Sequence, residues 1–258
     1  MNSRNEARLG AIEQRIAKSY RANRERCKRC QRYCEKNGLQ LHGPLSFFNI
    51  GDQFENDRYK VVFVGKNHWY SKTDVEEMGF LAPSRFRDAR AGGLWAFLDR
   101  QSIYWRCIQD IAKLLYPEEE DEVDLLDHIS ITNITKCNTS KGYRDTTPYY
   151  MTDNCVEILE EEIKALHPKH LIFLTGRGYD SYINSLDLGY VLPPKDATGQ
   201  TYKRPIENQH SVWWWHREFY ESEKVTMNLL RTRHPQGAPK GLTTEIVKWI
   251  QKKSLQAT

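Results

Sequence analysis

Four short runs of apolar, β-branched and aromatic residues, at 61–64, 129–134, 171–174 and 225–230, constrain this chain's fold more than any other feature. Apolar residues dominate each run with little polar alternation, so each is expected to be a strand buried on both faces. The intervening segments have helical spacing. Leu94, Phe97, Leu98, Ile103, Ile108, Ile111 and Leu115 supply one apolar face. Val156, Leu159, Ile163 and Leu166 supply another, with Thr152 and Asp153 as capping candidates and Pro168 as the stop. A last helix is expected after Thr243 or Thr244. This alternation predicts a three-layer α/β/α sandwich with a central four-stranded parallel sheet. Ligands of such sheets sit at the carboxyl ends of the strands.

Of 258 residues, 39% are hydrophobic, enough for a core and too many for a wholly disordered chain. No stretch nears the roughly 18 apolar residues of a membrane helix, and the first thirty residues lack the apolar block of a secretory signal. A cytoplasmic protein with no membrane partner is the expectation. No obligatory protein partner is evident, and a monomer is expected. The charge of +4 permits a polyanionic partner without requiring one. With no repeat or linker visible, residues 1–45 read as a basic helical extension packed on a core domain spanning 46–258. Its arginines and lysines suit either a solvated helix face or an arm facing phosphates. The acidic run at 118–122 reads as a solvated loop without chemistry.

Every strand end carries polar or cationic groups. Gly65, Lys66 and Asn67 follow the first run, Asn133 to Cys137 close the second, Thr175 to Gly178 follow the third, and Arg231 to Gly237 follow the fourth. Four such mouths together point to a functional crevice. Six cysteines add a second signal: Cys27, Cys30, Cys34, Cys107, Cys137 and Cys155. Without an export signal, metal or cluster ligation competes with burial as small hydrophobes. Cys107, inside an apolar helix, takes the latter reading.

The order strand-Gly-x-Asn, strand-Asn-x-x-Lys-Cys, Cys near the next helix start, strand-Gly and strand-His-Pro resembles the uracil-DNA glycosylase superfamily, most closely its iron–sulfur branches. The likeness covers about residues 27 to 250 and is poor from 178 to 224. It implies a DNA glycosylase that flips out a uracil-like or modified pyrimidine and hydrolyses its N-glycosidic bond, acting on single- or double-stranded DNA. It also implies a 4Fe–4S cluster on Cys27, Cys30, Cys137 and Cys155, with zinc as the runner-up metal. Helical spacing leaves Cys30 with Cys34 as an alternative pair. By the same resemblance Asn67 orients the water and His234 hydrogen-bonds the departing base. Asn133 reads the base edge, with Gly65 and His68 beside it. Phe80 stacks on the base, with Phe86 in reserve. Lys136, Lys141, Arg144, Arg231, Arg233 and Lys240 would meet phosphates, and Gln236 belongs to a loop wedged into the minor groove.

Two departures mark the chain as a specialised member. His68-Trp69-Tyr70 replaces the family's Pro, which puts Trp69 at the wall of the base pocket and places uracil specificity in question. Trp213-Trp214-Trp215 suits either base stacking or a hairpin on the core. Repair, or defence against phage DNA carrying modified bases, are both open roles. The alternative is a catalytically weak nucleic-acid sensor with the same fold.

Overall fold

The computed structural model describes residues 3–42, 49–66, 97–98, 102–141, 144–145, 148–189, 201–206, 210–221, 224–236, 238 and 241–256. The chain is a mixed α/β protein. Two N-terminal helices, α1 (Ser3–Ala22) and α2 (Arg24–Asn37), precede short strands β1 (Gln40–His42) and β2 (Asn49–Ile50), and then β3 (Val61–Gly65). Next come α3 (Ile103–Leu115), α4 (Glu122–Asp127), β4 (Ser130–Asn133), β5 (Asn138–Lys141) and β6 (Arg144–Asp145). Helices α5 (Tyr149–Asp153) and α6 (Val156–Leu166), strand β7 (His170–Phe173) and helix α7 (Asp180–Ser185) follow. Strands β8 (Thr201–Ile206), β9 (His210–Glu221) and β10 (Lys224–Arg231) lead into α8 (Leu242–Gln256).

The main sheet has seven strands in the order β2-β4-β3-β7-β10-β9-β8. The four strands expected from sequence, β4, β3, β7 and β10, are its parallel centre. The expectation fell short by three strands, β2, β9 and β8, which join antiparallel at the two edges. A second, three-stranded sheet, β1-β5-β6, was also unforeseen. All three of its strands are short, and their alternation is too brief to register as a pattern.

Successive side chains of a strand point to opposite faces, and the burial follows that rule. Val62, Val64, Leu171, Phe173, Met227 and Leu229 join residues of α1, α6 and α7 in one core. Val61, Phe63, Ile172, Leu174 and Leu230 join residues of α3, α4 and α8 in the other. Leu9, Ile16, Ala17 and Tyr20 of α1 belong to the first core, so the basic extension is anchored by its apolar stripe. Two of its arginines, Arg15 and Arg26, reach Glu161 and Glu157 of α6. Those two therefore pair with protein carboxylates on the solvated surface.

Local signals explain most boundaries. Helix α2 ends where Gly38 takes the left-handed conformation at φ 61°, which costs glycine nothing. Ser102 and Asp121 cap α3 and α4 by accepting from main-chain amides. The capping candidates for α6 were misplaced. Thr152 and Asp153 belong to α5, and Cys155 stands at the cap position without a side-chain bond.

Candidate functional site

Pairing continues past the strands themselves, and it builds the mouths of the sheet. Ile134 N and Thr135 N donate to the carbonyls of Gly65 and Lys66 at 2.9 and 2.8 Å. On the other side Gly176 N donates to Thr232 O at 3.0 Å. The loops after β3, β4, β7 and β10 are thereby held side by side at one end of the sheet.

Gly65 pairs in register with Asn133. A Cβ at position 65 would stand 2.7 Å from Tyr104 Oη and closer still to Asn133 Oδ1. Asn133 and Tyr104 already fill that space, so only a residue without a Cβ fits at position 65. The Tyr104 ring stacks on His234, with centroids 5.8 Å apart and planes at 22°. Gly65, Asn133, Tyr104 and His234 therefore gather at one place. His234 Nδ1 accepts from the Gln236 amide at 3.2 Å, which leaves the proton of the neutral ring on Nε2. Burial, and secondarily the Lys66 ammonium, push its pKa down to about 4. The ring is thus an uncharged hydrogen-bond donor at neutral pH.

Other expected site residues fall elsewhere. Lys136 was read as a phosphate contact, yet it is buried and ion-paired with Glu162. Its ammonium also meets Thr132 Oγ1 at 2.9 Å and the Asn133 carbonyl at 2.5 Å. Arg231 was read the same way. Only 1% of its side chain is exposed, and it grips Asp180 through two contacts of 2.6 and 2.7 Å. Lys136 cannot reach a phosphate without leaving Glu162 buried and unpaired, and Arg231 is itself buried and held by Asp180. Arg233 and Gln236 are exposed. Asn67, His68, Trp69, Phe80, Phe86 and Lys240 lie outside the described residues, as do the side chains of Lys141, Arg144, Trp213 and Trp214. Trp215 is buried in the core, with the Arg217 guanidinium 5.0 Å from its ring centre.

Lys136 also lines a pocket shared by Cys27, Cys30, Cys137 and Cys155, with Tyr20, Leu41, Met151 and Asn154 among its walls. Cys34 is buried beside Cys30 and Cys137 but does not line it. Asn154 Nδ2 donates to Cys30 Sγ at 3.3 Å, and Lys136 N donates to Cys155 Sγ at 3.4 Å. Burial pushes the Cys27 and Cys155 thiols up to about 12 and Cys30 to about 11. Among the described residues no three Cys, His, Asp or Glu side chains form a ready-made metal-binding group. The donor set nonetheless fits a thiolate-ligated group, with four cysteines on one apolar pocket and N–H donors aimed at two sulfurs.

A cluster of tyrosines escaped the sequence reading. Tyr149 lies 5.6 Å from Tyr179 and 6.3 Å from Tyr182 between ring centres, and its hydroxyl would sit 2.9 Å from a Cβ on Gly178. Tyr149 and Tyr150 are exposed. They start α5, and tyrosines at a helix start carry no local signal of function. The acidic run proved more than a solvated loop. Glu118 pairs with Arg58, and Glu119 meets His128 Nε2 at 3.0 Å. Asp57 meets His128 Nδ1 at 2.8 Å. This network lies before β3 and β4, at the opposite end of the sheet from the crevice.

No helix among the described residues is long and apolar enough to cross a membrane. Compared with models of protein families and with curated protein sequences, the chain matches none.

Proposed function

We propose that this chain is a DNA glycosylase of the uracil-DNA glycosylase type, which everts a uracil-like or modified pyrimidine and hydrolyses its N-glycosidic bond to leave an abasic site. One observation carries the reading. An amide (Asn133) packed on a glycine (Gly65) and a neutral imidazole (His234), bridged by the Tyr104 ring, lie at the carboxyl end of a parallel sheet, where ligands of such sheets bind. The strand order β4-β3-β7-β10 supports it by seating all four motif-bearing loops at one end.

Base release leaves negative charge on the departing ring. His234 Nε2–H donates to a base carbonyl as that charge grows, a type of contact worth about 3 kcal/mol in comparable oxyanion sites. A neutral donor suits this role because it binds the uncharged base without a prior proton transfer. Asn133 reads the base edge, since an amide both donates and accepts. Asn67 orients the attacking water; an amide is no strong base, so slow chemistry is expected. Exposed Tyr149 and Tyr150 offer faces on which neighbouring bases stack. Arg233 supplies an exposed charge beside the crevice.

Cys27, Cys30, Cys137 and Cys155 would hold a four-iron cluster, or zinc as second choice. When bound, such a group supplies metal–thiolate bonds that tie α2 to the connection between β4 and β5 and to the turn between α5 and α6.

The test is a panel of single- and double-stranded oligonucleotides carrying uracil, deaminated purines or modified cytosines, scored by alkaline strand scission. Scission at one or more of these bases is the expected result. Salt-sensitive DNA binding with no scission on any substrate would favour the sensor alternative, and absence of both would overturn the reading.

A further inference from the structure

Tyr104 stands in the first turn of α3, directly after the cap that Ser102 provides. Its hydroxyl is shielded from solvent and has no hydrogen-bond partner among the described residues. Burial raises its ionisation far above the ordinary phenol range, so the group remains an O–H donor at any working pH. Folded proteins rarely leave a buried donor unpaired, because burial forfeits its bonds to water. The position of this orphan is specific. Its oxygen lies over Gly65 beside Asn133 Oδ1, and its ring lies on His234. An unsatisfied donor is thus lodged between the amide and the imidazole of the crevice.

We propose that Tyr104 is a specificity-determining residue whose hydroxyl donates to a carbonyl oxygen of the everted base while Asn133 engages the neighbouring ring nitrogen. The proposal rests on the glycosylase reading and adds a residue to it. A base edge with C=O next to N–H satisfies both groups: the carbonyl accepts from Tyr104, and the N–H donates to Asn133 Oδ1. An edge bearing an exocyclic amine leaves the Tyr104 proton without an acceptor. A site built around a hydrogen bond rejects a ligand that cannot complete it. In the absence of a ligand the hydroxyl destabilises the fold, which is a cost tolerated at functional sites.

The experiment compares the full-length protein with its Tyr104→Phe variant by thermal melting and by single-turnover base release from uracil- and cytosine-containing oligonucleotides. Removing an orphaned hydroxyl is expected to leave the melting temperature unchanged or raised. Release of uracil is expected to fall about 10- to 100-fold, and the uracil-to-cytosine ratio to fall with it. A lowered melting temperature, or an unchanged ratio in an active protein, overturns the role of Tyr104 while leaving the glycosylase reading intact. Wild-type protein that releases no base from any substrate overturns both.

Discussion

Lys136 touches Asn133 with one end and Cys155 with the other: its ammonium meets the Asn133 carbonyl at 2.5 Å, and its amide donates to Cys155 Sγ at 3.4 Å. Asn133 and the cysteine pocket are therefore joined through a single residue. Glu162, fully buried, balances the charge and also accepts from Tyr20 and Thr132 at 3.1 and 2.7 Å. A residue first read as a DNA contact is instead the hinge-pin between two sites.

Breaking this pair from one side strands a buried charge. Lys136→Met is expected to destabilise the fold by about 3–5 kcal/mol, because Glu162 then lacks its counter-ion. Adding Glu162→Leu to that variant should recover much of the loss. Denaturant midpoints of the two variants check this, and equal losses would contradict it.

Under the proposed metal site, the cysteines divide into ligands and bystanders. Cys137→Ser and Cys155→Ser are expected to lose bound iron and visible absorption and to melt earlier. Cys34→Ser and Cys107→Ser, which do not line the pocket, should keep both. Metal content and the effect of a chelator on the melting curve decide the assignment.

His128 and Asp57 give stability a defined pH dependence. The hydrogen bond to Asp57 raises the His128 pKa above 6.5 despite burial. Burial acts to raise Asp57, yet bonds from His128, Tyr116 and two main-chain amides outweigh it and hold the carboxyl below 3.8. The His128 contribution is complete below 6.5 and is lost as pH rises through its folded value. The Asp57 contribution is complete above 3.8 and is lost as pH falls through its own. Stability from this cluster should therefore peak between those limits, and His128→Gln should flatten the alkaline decline in a melting-temperature series.

His234 shifts the other way. Its folded pKa of about 4, against 6.5 for a free ring, means that the unfolded chain takes up the proton first. Stability falls as pH drops between those values, while the folded ring stays neutral. Lys66→Met should raise the His234 pKa, and NMR titration of the ring in the two proteins measures it.

The parallel centre of the sheet was legible because 61–64 and 171–174 are wholly apolar and because apolar or β-branched residues make up most of 129–134 and 225–230. The antiparallel strands were not. In β9 the stretch from Ser211 to His216 mixes aromatics with polar residues, and β2 and β8 are edge strands, which carry no obligatory period. Motif residues such as Asn133 and His234 lie around Tyr104 at one end of the sheet because strand ends fix them. Arg231 and Lys136 were misread because their carboxylate partners, Asp180 and Glu162, are distant in sequence. Tyr104 was invisible for a related reason. It belongs to an ordinary amphipathic helix, and only the chain's path over Gly65 gives its hydroxyl a meaning.

The most direct test is single-turnover base release by His234→Ala measured beside its DNA affinity. The predicted result is a fall in rate of about 100-fold with the dissociation constant unchanged. A variant that releases base at the wild-type rate would show that the imidazole at the mouth of β10 takes no part in the chemistry.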